Sequence, residues 1–92
     1  MPVNRKNKSM YRIVFSRSAV KDLDRIDKIY QPHIFAALFD LRKNPHSGKQ
    51  LRGGFQDFYS LRVGVYRIIY KIYKKVLNIL VIRISHRQGA YK

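Results

Sequence analysis

The sequence has no cysteine and no glutamate. Without cysteine there are no disulfides, no thiolate nucleophile and no thiolate metal site, and a reducing cytoplasm is a compatible setting. Without glutamate, all acid chemistry falls to Asp22, Asp24, Asp27, Asp40 and Asp57. The first four lie in segments read below as helices, and Asp57 alone approaches the C-terminal third. A two-carboxylate hydrolase or a magnesium-dependent nuclease therefore has too few ligands there. His33, His46 and His86 lack metal-site spacing, so no metal and no cofactor is expected. Arg67, Lys71 and Arg83 interrupt the best apolar runs well short of the roughly 18 residues a membrane helix needs. The N-terminus is polar where a secretory signal would be apolar, so none is expected. The one glycine-rich stretch, HSGKQLRGG at His46–Gly54, lacks the GxxxxGK[ST] pattern of a nucleotide-binding loop.

What is present is a small, basic, apolar-rich chain. Ninety-two residues make one domain, which buries roughly 60–65% of its unfolded surface. An apolar fraction of 46% with 13% aromatic is too rich for a disordered polymer. Twenty Lys and Arg against five Asp give a net charge of +15. That ratio points to a polyanionic partner, of which nucleic acid is the commonest in the cytoplasm. The bland alternative is a solvated basic surface with no dedicated ligand.

Residues 1–9, MPVNRKNKS, are polar and aperiodic. They read as a flexible basic tail, or as sequence ahead of a natural start at Met10. The folded domain is expected over residues 10–92. Tyr11, Ile13 and Phe15 alternate with Arg12 and Val14 as in a strand. Ser16 or Ser18 can cap a following helix, whose inward stripe is Val20, Leu23, Ile26 and Tyr30. A second helix starts near Pro32, turns Ile34, Ala37, Leu38 and Leu41 inward, and stops at Asn44-Pro45. Phe35 and Phe39 widen its apolar side.

Phe58 to Tyr91 then reads as a three-strand meander with no carboxylate at all. Phe58–Val63, Val65–Tyr73 and Val76–Arg87 are the strands, separated by Val63-Gly64-Val65 and Lys74-Lys75. Period-two counting divides the faces. Tyr66, Ile68, Tyr70 and Ile72 with Leu80, Ile82 and Ile84 should pack on the helices. Arg67, Ile69 and Lys71 with Arg83, Ser85 and Arg87 should face out, and Ser60 shares a face with Arg62. The expected architecture is α+β, in the order β-α-α-β-β-β, with a two-helix hairpin on one face of a mainly antiparallel four-strand sheet.

With so few carboxylates, a chain that cleaves a phosphodiester must do so without metal, and RNA allows this because its own 2′-OH can act as nucleophile. The protein must then stabilise the phosphorane and move protons. Arg62, Arg67 and Arg87 suit the first task as permanently charged forks. His86 supplies an imidazole, a side chain suited to shuttling a proton, although strand parity directs it toward the helices. Tyr91 could stack on a base or exchange a proton. Lys49 and Arg52, in the basic loop, and Arg83 are further candidates for RNA contact.

The segments LRVGVYRIIY at Leu61–Tyr70 and HRxxxY at His86–Tyr91 resemble the RelE/ParE toxin superfamily, and the element order extends the resemblance over residues 10–92. The resemblance to the RelE-like branch implies a toxin of a type II toxin–antitoxin system that cuts mRNA in the ribosomal A site by 2′-OH attack, without metal. It implies an acidic, RelB-like antitoxin partner that wraps the toxin. Arg62 and Arg67 match positions that hold the scissile phosphate, Arg87 the arginine for transition-state charge, and Tyr91 the C-terminal tyrosine that stacks on or deprotonates the substrate. Lys49 and Arg52 resemble ribosomal-RNA contacts. Some members carry lysine at the position of Ser60, and its absence here leaves the general base open. ParE-like members share the fold and inhibit DNA gyrase without nuclease activity, which is the alternative function. A plain nucleic-acid-binding module is the third.

Overall fold

A computed structural model describes residues 10–51 and 58–86. The elements are β1 (Arg12–Phe15), α1 (Arg17–Arg25), α2 (Gln31–Leu41), a 3-10 turn (Pro45–Ser47), β2 (Lys49–Gln50), β3 (Phe58–Val63), β4 (Tyr66–Tyr73) and β5 (Asn78–His86). The strands form one five-stranded sheet in the order β1-β5-β4-β3-β2. β1 runs parallel to β5, and every other neighbouring pair is antiparallel. The helices pack on one face, as expected. The fifth strand, β2, falls inside the stretch read as a loop. It has two residues, both exposed, so it carries no periodic signal.

Local chemistry explains where α1 begins. Ser16 is its N-cap: Oγ accepts from the Ala19 N–H at 3.0 Å and donates to the Ile82 carbonyl at 2.8 Å. One hydroxyl thus starts the helix and docks it to β5. That docking also sets the helix's rotation. Ala19, Asp22 and Ile26 are buried, whereas Val20, expected to face inward, is 49% exposed. The far end of α1 is closed from α2, where Gln31 Nε2 donates to the carbonyls of Leu23 and Ile26. On α2, Ile34, Leu38 and Leu41 are buried as the periodicity predicts.

The β3–β4 hairpin turns at Gly64, whose φ of 60° lies in the left-handed region that favours glycine. Its register matches the expected faces: Tyr59 opposes Tyr70 and Leu61 opposes Ile68 toward the helices, while Ser60 opposes Ile69 and Arg62 opposes Arg67 on the other side. β5 departs from simple alternation. Val81 pairs with Tyr70 and Arg83 with Ile69, so Ile82 is an additional residue in the ladder. This bulge shifts the parity of the first half of the strand. The core residues of β5 are Ile79, Val81 and Ile84. Leu80 and Ile82, expected on the helix side, are only half-buried. Strict period two does not hold across the inserted residue, which turns Leu80 and Ile82 away from the core.

Ile34, Leu38 and Leu41 from α2 join Ile68, Tyr70 and Ile72 from β4 and Ile79, Val81 and Ile84 from β5 in a single core. No described helix is long and apolar enough to cross a membrane.

Candidate nucleic-acid interface

The face of the sheet turned away from the helices is organised in rungs. Arg62 on β3, Arg67 on β4 and Ser85 on β5 form one rung, and Ser60, Ile69 and Arg83 form the next. Lys49 on β2 stands opposite Ser60 and extends that second rung outward. Direct opposition of like charges across strands is unfavourable in a sheet that only has to fold. Here Arg62 and Arg67 are opposite each other at the end of an open cleft of about 640 Å³. Ser47, Gly48, Lys49, Gln50, Ser60, Arg62 and Arg67 are among the residues lining it, together with the edges of Leu51 and Leu61. The lining residues among those described include three cations and no carboxylate. Such a concavity concentrates positive potential where a phosphate can enter.

The floor of the cleft is anchored from below. Tyr70 is fully buried on the helix side. Its hydroxyl donates to the Pro45 carbonyl at 2.7 Å and accepts from the Gly48 N–H at 3.1 Å. Burial pushes the phenol up to about 12, so the group remains a neutral donor. Tyr59 stacks on Tyr70, their ring centroids 5.5 Å apart. The aromatic pair beneath the hairpin thereby fixes the 45–48 segment that leads into Lys49.

The structure distributes the expected site residues unevenly. It brings Lys49, Arg62 and Arg67 into one cleft. Arg83 shares their face but lies at the far side, where Nε donates to Asp22 Oδ2 at 2.9 Å and Nη2 donates to Oδ1 at 3.2 Å. Its side chain is 53% exposed, while that of Asp22 is 8% exposed. His86 is on the opposite face: it pairs with Tyr66 on the helix side, their rings 5.6 Å apart, and Tyr66 in turn meets Tyr30 edge to face. That geometry separates His86 from Arg62 and Arg67. Arg52, Arg87 and Tyr91, like the basic tail at 1–9, lie outside the described residues.

Asp22 was legible only as a filler position on a helix, yet it closes the exposed edge of β5 beyond the end of β1. Oδ2 accepts from the Ile84 N–H at 2.8 Å as well as from Arg83. Burial alone would raise the carboxyl's pKa. The bonds from Arg83 and Ile84, with the charges of Arg83 and Arg25, overcome this and hold it below its ordinary value. Ser85 likewise carries no signal of its own in the sequence. Its rung beside Arg67 makes its hydroxyl a neighbour of the cationic pair. At the other end of the open face, Lys71 lies over the rings of Phe58 and Tyr73 at 5.3 and 5.0 Å, where it covers apolar surface.

A second concavity, about 540 Å³ and largely apolar, lies between β1 and α2. Tyr11, Ile13, Phe15, Phe35, Leu38 and Phe39 form its walls, and Arg12 and Arg42 flank it. Phe35 and Phe39 are 49% and 54% exposed, and Arg42 and Lys43 both lie over the Phe39 ring.

A small α+β domain with an arginine rung on its open face defines a class, and comparison with known proteins supplies the family. The model of the ParE toxin of type II toxin-antitoxin systems (parDE) matches residues 13–91. The chain belongs to that family, within the RelE/ParE toxin superfamily. Toxin RelG of Mycobacterium tuberculosis is 31% identical over 88 residues, covering 89% of this chain and 97% of the relative. Toxin RelE of the same organism is 31% identical over 84 residues, covering 89% of this chain and 87% of the relative. The toxin–antitoxin complex RelBE2 of M. tuberculosis contains a chain that superimposes with a TM-score of 0.77 at 29% identity, covering 85% of this chain and 99% of that one.

Proposed function

We propose that this toxin is a ribosome-dependent endoribonuclease that cuts mRNA by attack of the substrate's own 2′-OH, without a metal ion. The observation that carries the reading is the Arg62–Arg67 rung, two like charges set directly opposite at the end of a cleft. An anion entering between them relieves their repulsion, and a phosphorane offers more negative charge than a ground-state diester. The pair therefore stabilises the transition state more than the substrate, which is what accelerates a reaction. Arg87 adds transition-state charge in this reading, Tyr91 stacks on or exchanges a proton with the substrate, and Arg52 contacts ribosomal RNA. These three roles rest on the family resemblance.

The test is primer extension on a translated message, with and without ribosomes. New 3′ ends that need both ribosomes and toxin support the reading. Arg87→Ala should lower the rate by roughly 10²-fold or more, and near-normal cleavage by that variant would remove it from the site.

The name of the matching family favours a second reading, inhibition of DNA gyrase without nuclease activity. Supercoiling assays run beside the cleavage assay separate the two.

The partner is an acidic antitoxin, for which the solved complex of a relative is the precedent. The apolar groove between β1 and α2, rimmed by Arg12, Arg42 and Lys43, suits the apolar face of an amphipathic helix with acidic flanks. Phe39→Asp should weaken that complex without slowing RNA cleavage, measured by co-purification and by the same primer-extension assay.

A further inference from the structure

β2 poses a question that folding does not answer. Both of its residues are exposed, so it contributes no side chain to the core. Even so, the segment leading into it is held with unusual care. The buried Tyr70 hydroxyl bonds to Pro45 and Gly48. Gly48 is packed so tightly that a Cβ there would sit 2.6 Å from Tyr70 Oη and 2.9 Å from the Ser60 carbonyl oxygen. Only glycine allows this approach. What the clamp fixes is the register Lys49 to Ser60, one rung from Arg62 and Arg67 and on the same face.

Consider which side chains of the cleft can exchange a proton. Guanidinium groups remain charged, and serine hydroxyls remain neutral. His86 is on the other face of the sheet. Among the described residues lining the cleft, Lys49 alone has an ammonium that can give up a proton and regain it.

Resting on the ribonuclease reading, we propose that Lys49 is the proton donor to the leaving group, and that Tyr70 is the positioning residue that sets it there. In the step, the 2′ oxygen bonds to phosphorus and its proton passes to water. The bond from phosphorus to the 5′ oxygen breaks, and the Lys49 ammonium transfers a proton to that oxygen. The products are a 2′,3′-cyclic phosphate and a free 5′-OH, and the neutral amine recovers its proton from solvent. Arg62 and Arg67 hold the non-bridging oxygens throughout.

The experiment compares two ribosome-bound messages that differ at one atom. One has the natural 5′ oxygen at the cleavage position, the other a 5′ bridging sulfur, which departs without protonation. On the oxygen message Lys49→Ala and Lys49→Arg should both be slowed by roughly 10²-fold, the lower end of general-acid effects. On the sulfur message both should cut at close to the wild-type rate. Tyr70→Phe should show the same selective loss to a smaller degree, in kcat with KM unchanged. A normal rate for Lys49→Arg on the oxygen message would reduce Lys49 to a fixed charge and overturn the proposal. Equal losses on both messages would overturn it too, by making the role one of binding. A wild-type protein that cuts neither message would instead remove the ribonuclease reading itself, and this proposal with it.

Discussion

On β4 the side chains turned toward the helices include Ile68, Tyr70 and Ile72, all buried, whereas those turned away are Arg67, Ile69, Lys71 and Tyr73. The two sets are interleaved residue by residue in one strand, yet they answer to different demands. The inner set fills space with apolar volume, and the hydroxyl of Tyr70 is both donor and acceptor. The outer set includes one half of a like-charge pair that works against sheet stability. A face that serves only the fold minimises such conflicts, and the outer face of this sheet retains one. The contrast separates residues that fill the core from the arginine rung proposed above to meet a phosphate.

Substitutions on the two faces should therefore move different observables. The largest stability change is expected for Ile68→Ala, on the inner face, at about 2–5 kcal/mol, because a fully buried side chain leaves a cavity. Denaturant unfolding with an unchanged m-value would measure it. Arg62→Ala, on the outer face, should lower RNA cleavage by about 10²-fold and leave unfolding stability unchanged or slightly raised, because it relieves the repulsion with Arg67. A large stability loss in that variant would erase the contrast. Asp22→Ala is the intermediate case, since it joins a helix to the rim of the outer face. Loss of the acceptor for the buried Ile84 N–H should cost about 1–3 kcal/mol.

The same carboxylate has a pH signature. Its pKa is lowered in the fold, so its stabilisation is fully present above the ordinary value of 3.8 and disappears as pH falls through the lower native value. The stability gap between wild type and Asp22→Ala should therefore narrow on acidification below that point, and a pH-independent gap would contradict the assignment. The smallest effect is expected for Ser16→Ala, about 1 kcal/mol from the lost cap. It should appear in thermal unfolding and leave cleavage untouched.

The fold was legible where one periodicity ran uninterrupted. The strand Phe58–Val63, the buried stripe of α2 and the two faces of β4 follow from spacing alone. The sequence was least informative where contacts between distant segments decide the outcome. The rotation of α1 depends on Ser16 reaching Ile82, 66 positions away. Asp22 looks like any polar helix residue until β5 presents an unpaired N–H beside it. β2 is too short to have a pattern. In the candidate site, Arg62 and Arg67 could be placed together because both count from one tight turn. The nearness of Lys49 depends on a hydroxyl that the sequence marks only as a tyrosine in the core. His86 could be counted to the helix side, and there it lies.

The additional residue at Ile82 has a consequence for how this chain tolerates change in length. Besides its ladder with β4, β5 is held at two places along its other edge, by the parallel ladder with β1 from Asn78 to Val81 and by Ser16 and Asp22 at Ile82 and Ile84. Each anchor dictates which way the neighbouring side chains point, and the two dictates agree only because one residue lies between them as slack. A different side chain at position 82 leaves that agreement intact. Removing the position would force one anchor to slip, turning either Ile79 and Val81 or Ile84 out of the core. Ile82 is thus a place where the chain can vary its letters but not their number.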